Sequence, residues 1–131
     1  PLIHGEMLKM FSKRDPLPHV TAMFRESFFK KAGSYSNELK MAEDTLLWYQ
    51  GFMSGCIFAN IPMVGVRVRQ SKSFYKRRGD VVKTLALFRF RIKKINRDLH
   101  FGLKADVYAL CYLLMSFSPG FVKKKLYRLL R

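Results

Sequence analysis

The residues best placed to do chemistry are Glu43 and Asp44, adjacent carboxylates in the run Ala42-Glu43-Asp44-Thr45-Leu46-Leu47-Trp48. The apolar spacing that follows predicts an amphipathic helix from Glu43 to Ser54, ended by Gly55, which places both acids in its first turn. A helix N-terminus carries partial positive charge and favours ionised carboxylates. An ionised, positioned carboxylate is able to take a proton from a hydroxyl at neutral pH. Acids in a first turn are also ordinary capping chemistry, so the pair by itself leaves both readings open. Trp48, one turn after Asp44, either walls such a site or packs in the core.

The elements that must carry this pair read as alternating helix and strand. Residues 4–13 predict a short helix with Met7, Leu8, Met10 and Phe11 as its apolar positions, broken by Asp15-Pro16-Leu17-Pro18. The run from His19 to Arg25 is β-branched and apolar and predicts a buried strand. Ser27 to Ala32 predicts a short helix stopped by Gly33. Cys56 to Ala59 predicts a short strand. Val64, Val66 and Val68 alternate with Gly65, Arg67 and Arg69, the period of a half-buried strand with a basic outer side. This alternation is an α/β signature.

Beyond Gln70 the character changes. Residues 71–80 read as a basic loop holding Arg77 and Arg78. From Val81, apolar residues at 81, 85, 88, 92, 95 and 99 mark one helical stripe. A second, more apolar helix is expected over Ala105–Phe117. At about 13 residues it is too short for the roughly 20 of a membrane span. Ser118-Pro119-Gly120 breaks it, and a tail rich in Lys and Arg follows. Two units are therefore expected, 1–80 and 81–131.

Charge follows the same division. Residues 1–62 hold 7 Lys/Arg and 6 Asp/Glu, whereas 63–131 hold 18 and 3. Nearly all of the net +16 belongs to the second half, and such a surface seeks phosphates in nucleic acid, anionic lipid or a diphosphate ligand. Cys56 and Cys111 lack Cys-x-x-Cys spacing and suit a reducing compartment, with a single disulfide still open. His4, His19 and His100 form no metal-ligand pattern. Pro1 stands where an initiator Met is usual, which predicts an excised or processed piece, and no signal-peptide pattern leads it.

Five features occur in order: His-x-Thr-x-Met-Phe-Arg (19–25), Gly-x-Tyr (33–35), Glu-Asp-x-x-Leu-Trp (43–48), Asn-Ile-Pro (60–62) and Arg-Arg-Gly (77–79). This order resembles the C-terminal half of bacterial family 2 glycosyltransferases of capsule, exopolysaccharide and lipopolysaccharide synthesis. Pro18, Ser34, Thr45, Val66 and Asp80 depart from the family pattern, and none of these departures falls on the acidic pair itself. The resemblance implies an α/β fold, the acceptor-side half of a GT-A domain, with a helical basic C-terminal extension. It implies a cytoplasmic enzyme at the inner face of the bacterial plasma membrane. Such enzymes hold a divalent metal, Mg or Mn, through an Asp-x-Asp motif in their N-terminal half. No Asp-x-Asp occurs in this sequence, so the chain is expected to bind no metal and to be inactive alone.

The resemblance also implies roles. Asp44 would be the general base of an inverting transfer from a nucleotide sugar to a hydroxyl of a glycan or lipid-linked acceptor. Glu43, about 100° around the helix, would orient a neighbouring group. His19 either is a satisfied core histidine or touches donor phosphate or acceptor, and Trp48 either walls the acceptor or is core. Arg77 and Arg78 would clamp the leaving diphosphate bidentately, with Arg67 as a lesser partner, or lie in a solvated basic loop. The C-terminal helices would rest on an anionic membrane surface or pack on the α/β core. A basic nucleic-acid-binding or membrane-surface module without catalysis is the competing class, but no nucleic-acid motif is present and no nucleic-acid partner is expected. An unpaired sheet edge would favour self-association.

Overall fold

The computed structural model describes residues 1–39, 42–67 and 80–118. Five helices organise them. The first, α1 (His4–Phe11), buries Met7 and Phe11 one turn apart. The second, α2 (Glu26–Ala32), ends on Gly33, whose φ of 82° lies in the region glycine favours. At the centre, α3 (Glu43–Met53) buries Thr45, Leu46, Leu47, Trp48, Gly51 and Phe52. Then α4 runs as Val81–Phe90, passes through a π-helical turn at Arg91–Ile95 and ends as Asn96–Asp98. The last, α5 (Leu103–Ser116), packs back along α4.

Each stop has a local cause. Asp80 Oδ1 accepts the Lys83 N–H at 3.1 Å and caps the start of α4. At its end His100 turns left-handed with φ 54°, its N–H bonding to the Arg97 carbonyl while the Phe101 N–H bonds to that of Asn96. That pair of bonds is a Schellman closure. It reverses the chain into α5.

One core unites α1, α2, α3 and α4: Met7, Phe11, Phe28, Leu47, Trp48, Phe52, Phe58 and Ile95 are buried together. A second cluster joins Leu39, Ala42 and Leu46 to Ala86, Leu87 and Phe90. The helices after residue 80 therefore share their interior with the segment before it.

The expected strands correspond to extended or turning backbone, and no strand ladder forms among the described residues. His19–Thr21 is a 3₁₀ turn, because the Pro18 carbonyl accepts both the Thr21 N–H and its hydroxyl. Residues 22–25 are extended, with Phe24 stacked on Trp48 at 5.6 Å and Met23 93% exposed. Residues 56–60 are also extended and alternate likewise, Cys56 and Phe58 inward, Ile57 and Ala59 outward. The Cys56 N–H bonds back to the Gly51 carbonyl, while the Phe58 N–H goes to His4 Nδ1 and the Asn60 N–H to the Leu2 carbonyl. Val64 and Val66 are exposed, not half-buried. A strand is held by its ladder as much as by its pattern, and among the described residues none of these segments has a strand beside it; Val68 and Arg69 lie outside them. The fully buried face of α4 agrees with the expected stripe at Ile95 and otherwise differs: Thr84, Arg91 and Asn96 face in, while Val81, Leu85, Phe88, Ile92 and Leu99 are only half-buried.

Candidate active site

Asp44 sits, half-buried, in the first turn of α3. Ala42, the N-cap residue, has no side-chain oxygen, and the Asp44 Oδ1 accepts the Thr45 N–H at 3.0 Å. The side chain thus satisfies one of the open donors of the helix start, as capping chemistry expects. It does so from within the turn, at the molecular surface. Glu43 is likewise half-buried and engaged with neighbouring groups.

Around Asp44 the fold gathers residues distant in sequence. Asp15 follows the turn that ends α1, held extended by Pro16. Its Oδ2 accepts the Thr45 hydroxyl at 2.7 Å and its Oδ1 accepts Arg91 Nη2 at 3.0 Å. Arg91 is buried, and its Nη1 donates to the Phe11 carbonyl at 2.8 Å. Burial pushes the Asp15 carboxyl up from its ordinary value, and the nearby Asp44 charge adds to this. Arg91, the Thr45 hydroxyl and Lys83 pull it back. Burial likewise lowers Arg91 against the pull of Asp15. Both directions agree that dehydration outweighs the attraction, as is common for covered ion pairs.

On the outer side, His19 Nε2 and the Tyr35 hydroxyl share a hydrogen bond at 2.6 Å, their rings edge to face. Burial raises the Tyr35 phenol, and the Asp44 charge raises it further. The Asp44 carboxylate is therefore within electrostatic reach of both Asp15 and Tyr35.

Among the residues expected at a site, His19 is exposed beside Tyr35, neither core nor strand. Trp48 is fully buried, stacked on Phe24 and edge-on to Phe58, so it stands beneath the site as core and forms no wall. Arg67 is exposed. Arg77 and Arg78 lie outside the described residues. Asp15, Tyr35 and Arg91 escaped the sequence reading. Tyr35 stood in a quoted motif, but nothing local in Asp15 or Arg91 signals a pairing across 76 positions. Among the described residues no three His, Cys, Asp or Glu side chains converge to hold a metal ion.

The half-buried Asp44 carboxylate thus takes the Thr45 N–H at the helix start, with the Asp15 carboxyl and the Tyr35 phenol within its electrostatic reach. The chain is related to glycosyltransferases. It is 33% identical over 97 residues to the UDP-Gal:alpha-D-GlcNAc-diphosphoundecaprenol beta-1,3-galactosyltransferase of Escherichia coli, a match covering 74% of this chain and 32% of that protein. It is 30% identical over 89 residues to an uncharacterized glycosyltransferase of Haemophilus influenzae, covering 67% of this chain and 32% of that protein. The chain spans about a third of the length of the curated relatives it matches. No family model and no solved structure matches it.

Proposed function

We propose that this chain is the acceptor-side, base-carrying part of an inverting family 2 glycosyltransferase of GT-A fold, with Asp44 as general base. The observation that carries the reading is the Asp44 carboxylate itself, held in the first turn of α3 by the Thr45 N–H in a chain related to glycosyltransferases. An acceptor hydroxyl loses its proton to Asp44 as its oxygen attacks the anomeric carbon of the donor sugar. The new C–O bond forms on the face opposite the phosphate. The bond to the diphosphate breaks, and the nucleoside diphosphate leaves with the electron pair. Such a base works by lying within hydrogen-bond reach of the hydroxyl, and a helix start is a rigid platform for it. Glu43 lies beside it on the same turn, and His19 with Tyr35 offers polar contacts to a sugar.

The donor and acceptor classes follow the E. coli relative, whose name pairs UDP-galactose with a GlcNAc-diphosphoundecaprenol acceptor. A nucleotide sugar and a lipid-linked glycan are the corresponding proposals here. The nucleotide and its divalent metal belong in this reading to parts of the parent protein outside this chain. Lipid-linked acceptors call for docking at the cytoplasmic membrane face. No described helix is long and apolar enough to cross a membrane, but α5 turns a continuous apolar stripe outward. Leu103, Val107, Leu110, Leu114 and Phe117 on it are 45–81% exposed, while small Ala105, Ala109 and Ser116 face in. An outward stripe of this kind, in a chain that also exposes Lys93, Lys94, Arg97 and Lys104, suits an anionic lipid surface.

The test is sugar transfer by the complete protein, wild type beside Asp44→Asn, with a panel of nucleotide sugars and lipid acceptors. Asp44→Asn keeps an acceptor for the Thr45 N–H but cannot take a proton. Transfer is expected to fall by about a hundredfold or more, with fold and donor binding retained. Undiminished transfer would return the acidic pair to capping.

A further inference from the structure

We propose that Arg91, Asp15 and Thr45 form a positioning relay that fixes the first turn of α3 and thereby aims the Asp44 carboxylate. The inference rests on the reading of Asp44 as the base and adds the residues that act through it.

Ala42 at the N-cap gives the first turn of α3 no side-chain hydrogen bond, so Asp44 meets one of its open donors from within the turn. Left to itself such a turn frays. The missing restraint comes from elsewhere in the molecule. The Arg91 guanidinium emerges from the π-helical turn of α4, with its side chain 8% exposed, and ties two points at once. One nitrogen holds the carbonyl that ends α1 and the other holds Asp15. Asp15, so fixed, receives the Thr45 hydroxyl. Thr45 is 1% exposed, and a buried hydroxyl without a partner is costly, so this bond is strongly preferred. Its β-branched side chain is also stiff, which passes the restraint to the backbone. The N–H of that same residue donates to Asp44 Oδ1. Thr45 therefore grips Asp15 through its hydroxyl and Asp44 through its amide, and the turn cannot rotate without losing one or the other. π-Helical turns inside α-helices occur often at functional sites. Here the turn starts at the residue that anchors the relay.

The experiment compares Thr45→Val and Thr45→Ala, which lack the hydroxyl, with Thr45→Ser, which keeps it, all in the complete protein. Two readouts are taken on each folded variant. The first, amide hydrogen exchange of α3, needs no substrate. Exchange of the hydrogen-bonded amides at this turn, Thr45 to Asp44 Oδ1 and Leu46 to the Ala42 carbonyl, is expected to rise about tenfold in both hydroxyl-free variants, with the Trp48–Phe52 amides unchanged and Thr45→Ser near wild type. The second is transfer, with UDP-galactose as the first donor and the rest of the panel after it. In the hydroxyl-free variants kcat is expected to fall about tenfold to a hundredfold, the loss a roughly 1 Å misplacement produces, with both KM values held within about twofold. Thr45→Ser is expected to restore kcat. Unchanged first-turn exchange, or unchanged kcat, in either hydroxyl-free variant overturns the relay. Asp44→Asn runs beside them. Wild-type transfer by Asp44→Asn removes the base, whereas loss in Asp44→Asn with full kcat in Thr45→Val removes the relay alone.

Discussion

Arg91 and Asp15 meet from opposite ends of the described chain, and their pairing has a measurable pH signature. The Arg91 side chain is 8% exposed and that of Asp15 30%. Removing one partner of a covered pair strands the other, so Arg91→Met is expected to destabilise the protein by about 3 kcal/mol at pH 7, the low end for such losses because Asp15 keeps some water. The deficit depends on pH in a definite direction. Burial already holds the Asp15 carboxyl above its ordinary 3.8, and losing Arg91 pushes it higher. A folded-state value above the unfolded one means that the folded state takes up the proton first as pH falls. The stability lost in Arg91→Met is therefore regained on going from pH 7 toward pH 4, as the stranded carboxylate is neutralised. Denaturant unfolding of wild type and variant at pH 7 and pH 5 measures this. A deficit that widens toward pH 5 would contradict the assignment.

At the scale of elements, packing around α3 leaves no room at Gly51. A Cβ built there would lie 2.7 Å from ring carbons of both Phe28 and Phe58. Gly51→Ala would gain about 1 kcal/mol of helix propensity, but overpacking typically costs about 1–3 kcal/mol. Two aromatic rings that also pack on Phe24, Phe52 and Trp48 have little freedom to retreat. Net destabilisation of about 1 kcal/mol is expected by thermal or denaturant unfolding. The helices themselves are legible in sequence where their signals are local: Gly33 and Gly55 after α2 and α3, and the spacing of Met7 and Phe11. The extended segments were legible only in part. Cys56 and Phe58 are buried and Ile57 and Ala59 exposed, but the short strand expected there requires a neighbour, and neighbours are not written in a single segment. The face of α4 was misread for a related reason. Its apolar stripe predicts Leu85, Phe88 and Ile92 inward, yet Thr84, Arg91 and Asn96 are buried more deeply because each finds a polar partner there: the Asp80 carbonyl, Asp15 and Asp106. Of the site, Asp44 was visible as a charge at a helix start. Asp15 and Arg91 were not, since a contact made across three elements leaves no spacing to detect.

For the molecule as a whole, the question is what the outward side of α5 meets. A helix that buries Ala105 and Ala109 while exposing Leu103, Val107, Leu110, Leu114 and Phe117 reverses the usual arrangement of a surface helix. These five recur at alternating intervals of four and three, so they form one line along the helix, while Tyr108, Cys111 and Tyr112 are exposed away from it. Under the proposed function that line lies in the lipid interface, with Lys93, Lys94, Arg97 and Lys104 at the headgroups. Two forces of different salt dependence then hold the protein. Apolar burial is indifferent to moderate salt, whereas each basic residue contributes about 1 kcal/mol near an anionic surface and loses most of it when the Debye length shrinks. The complete protein is therefore expected to co-sediment with phosphatidylglycerol-containing vesicles, more weakly with phosphatidylcholine, and to retain part of its binding in high salt. Substituting Leu110→Asp and Leu114→Asp together removes apolar area and places two anions against the surface. It is expected to lower the partition coefficient by about tenfold or more, and it should leave stability nearly unchanged because both side chains already face outward. Binding by the double variant equal to wild type would show that the stripe is not the lipid-facing side. Binding that vanishes in salt for both proteins would assign attachment to charge alone.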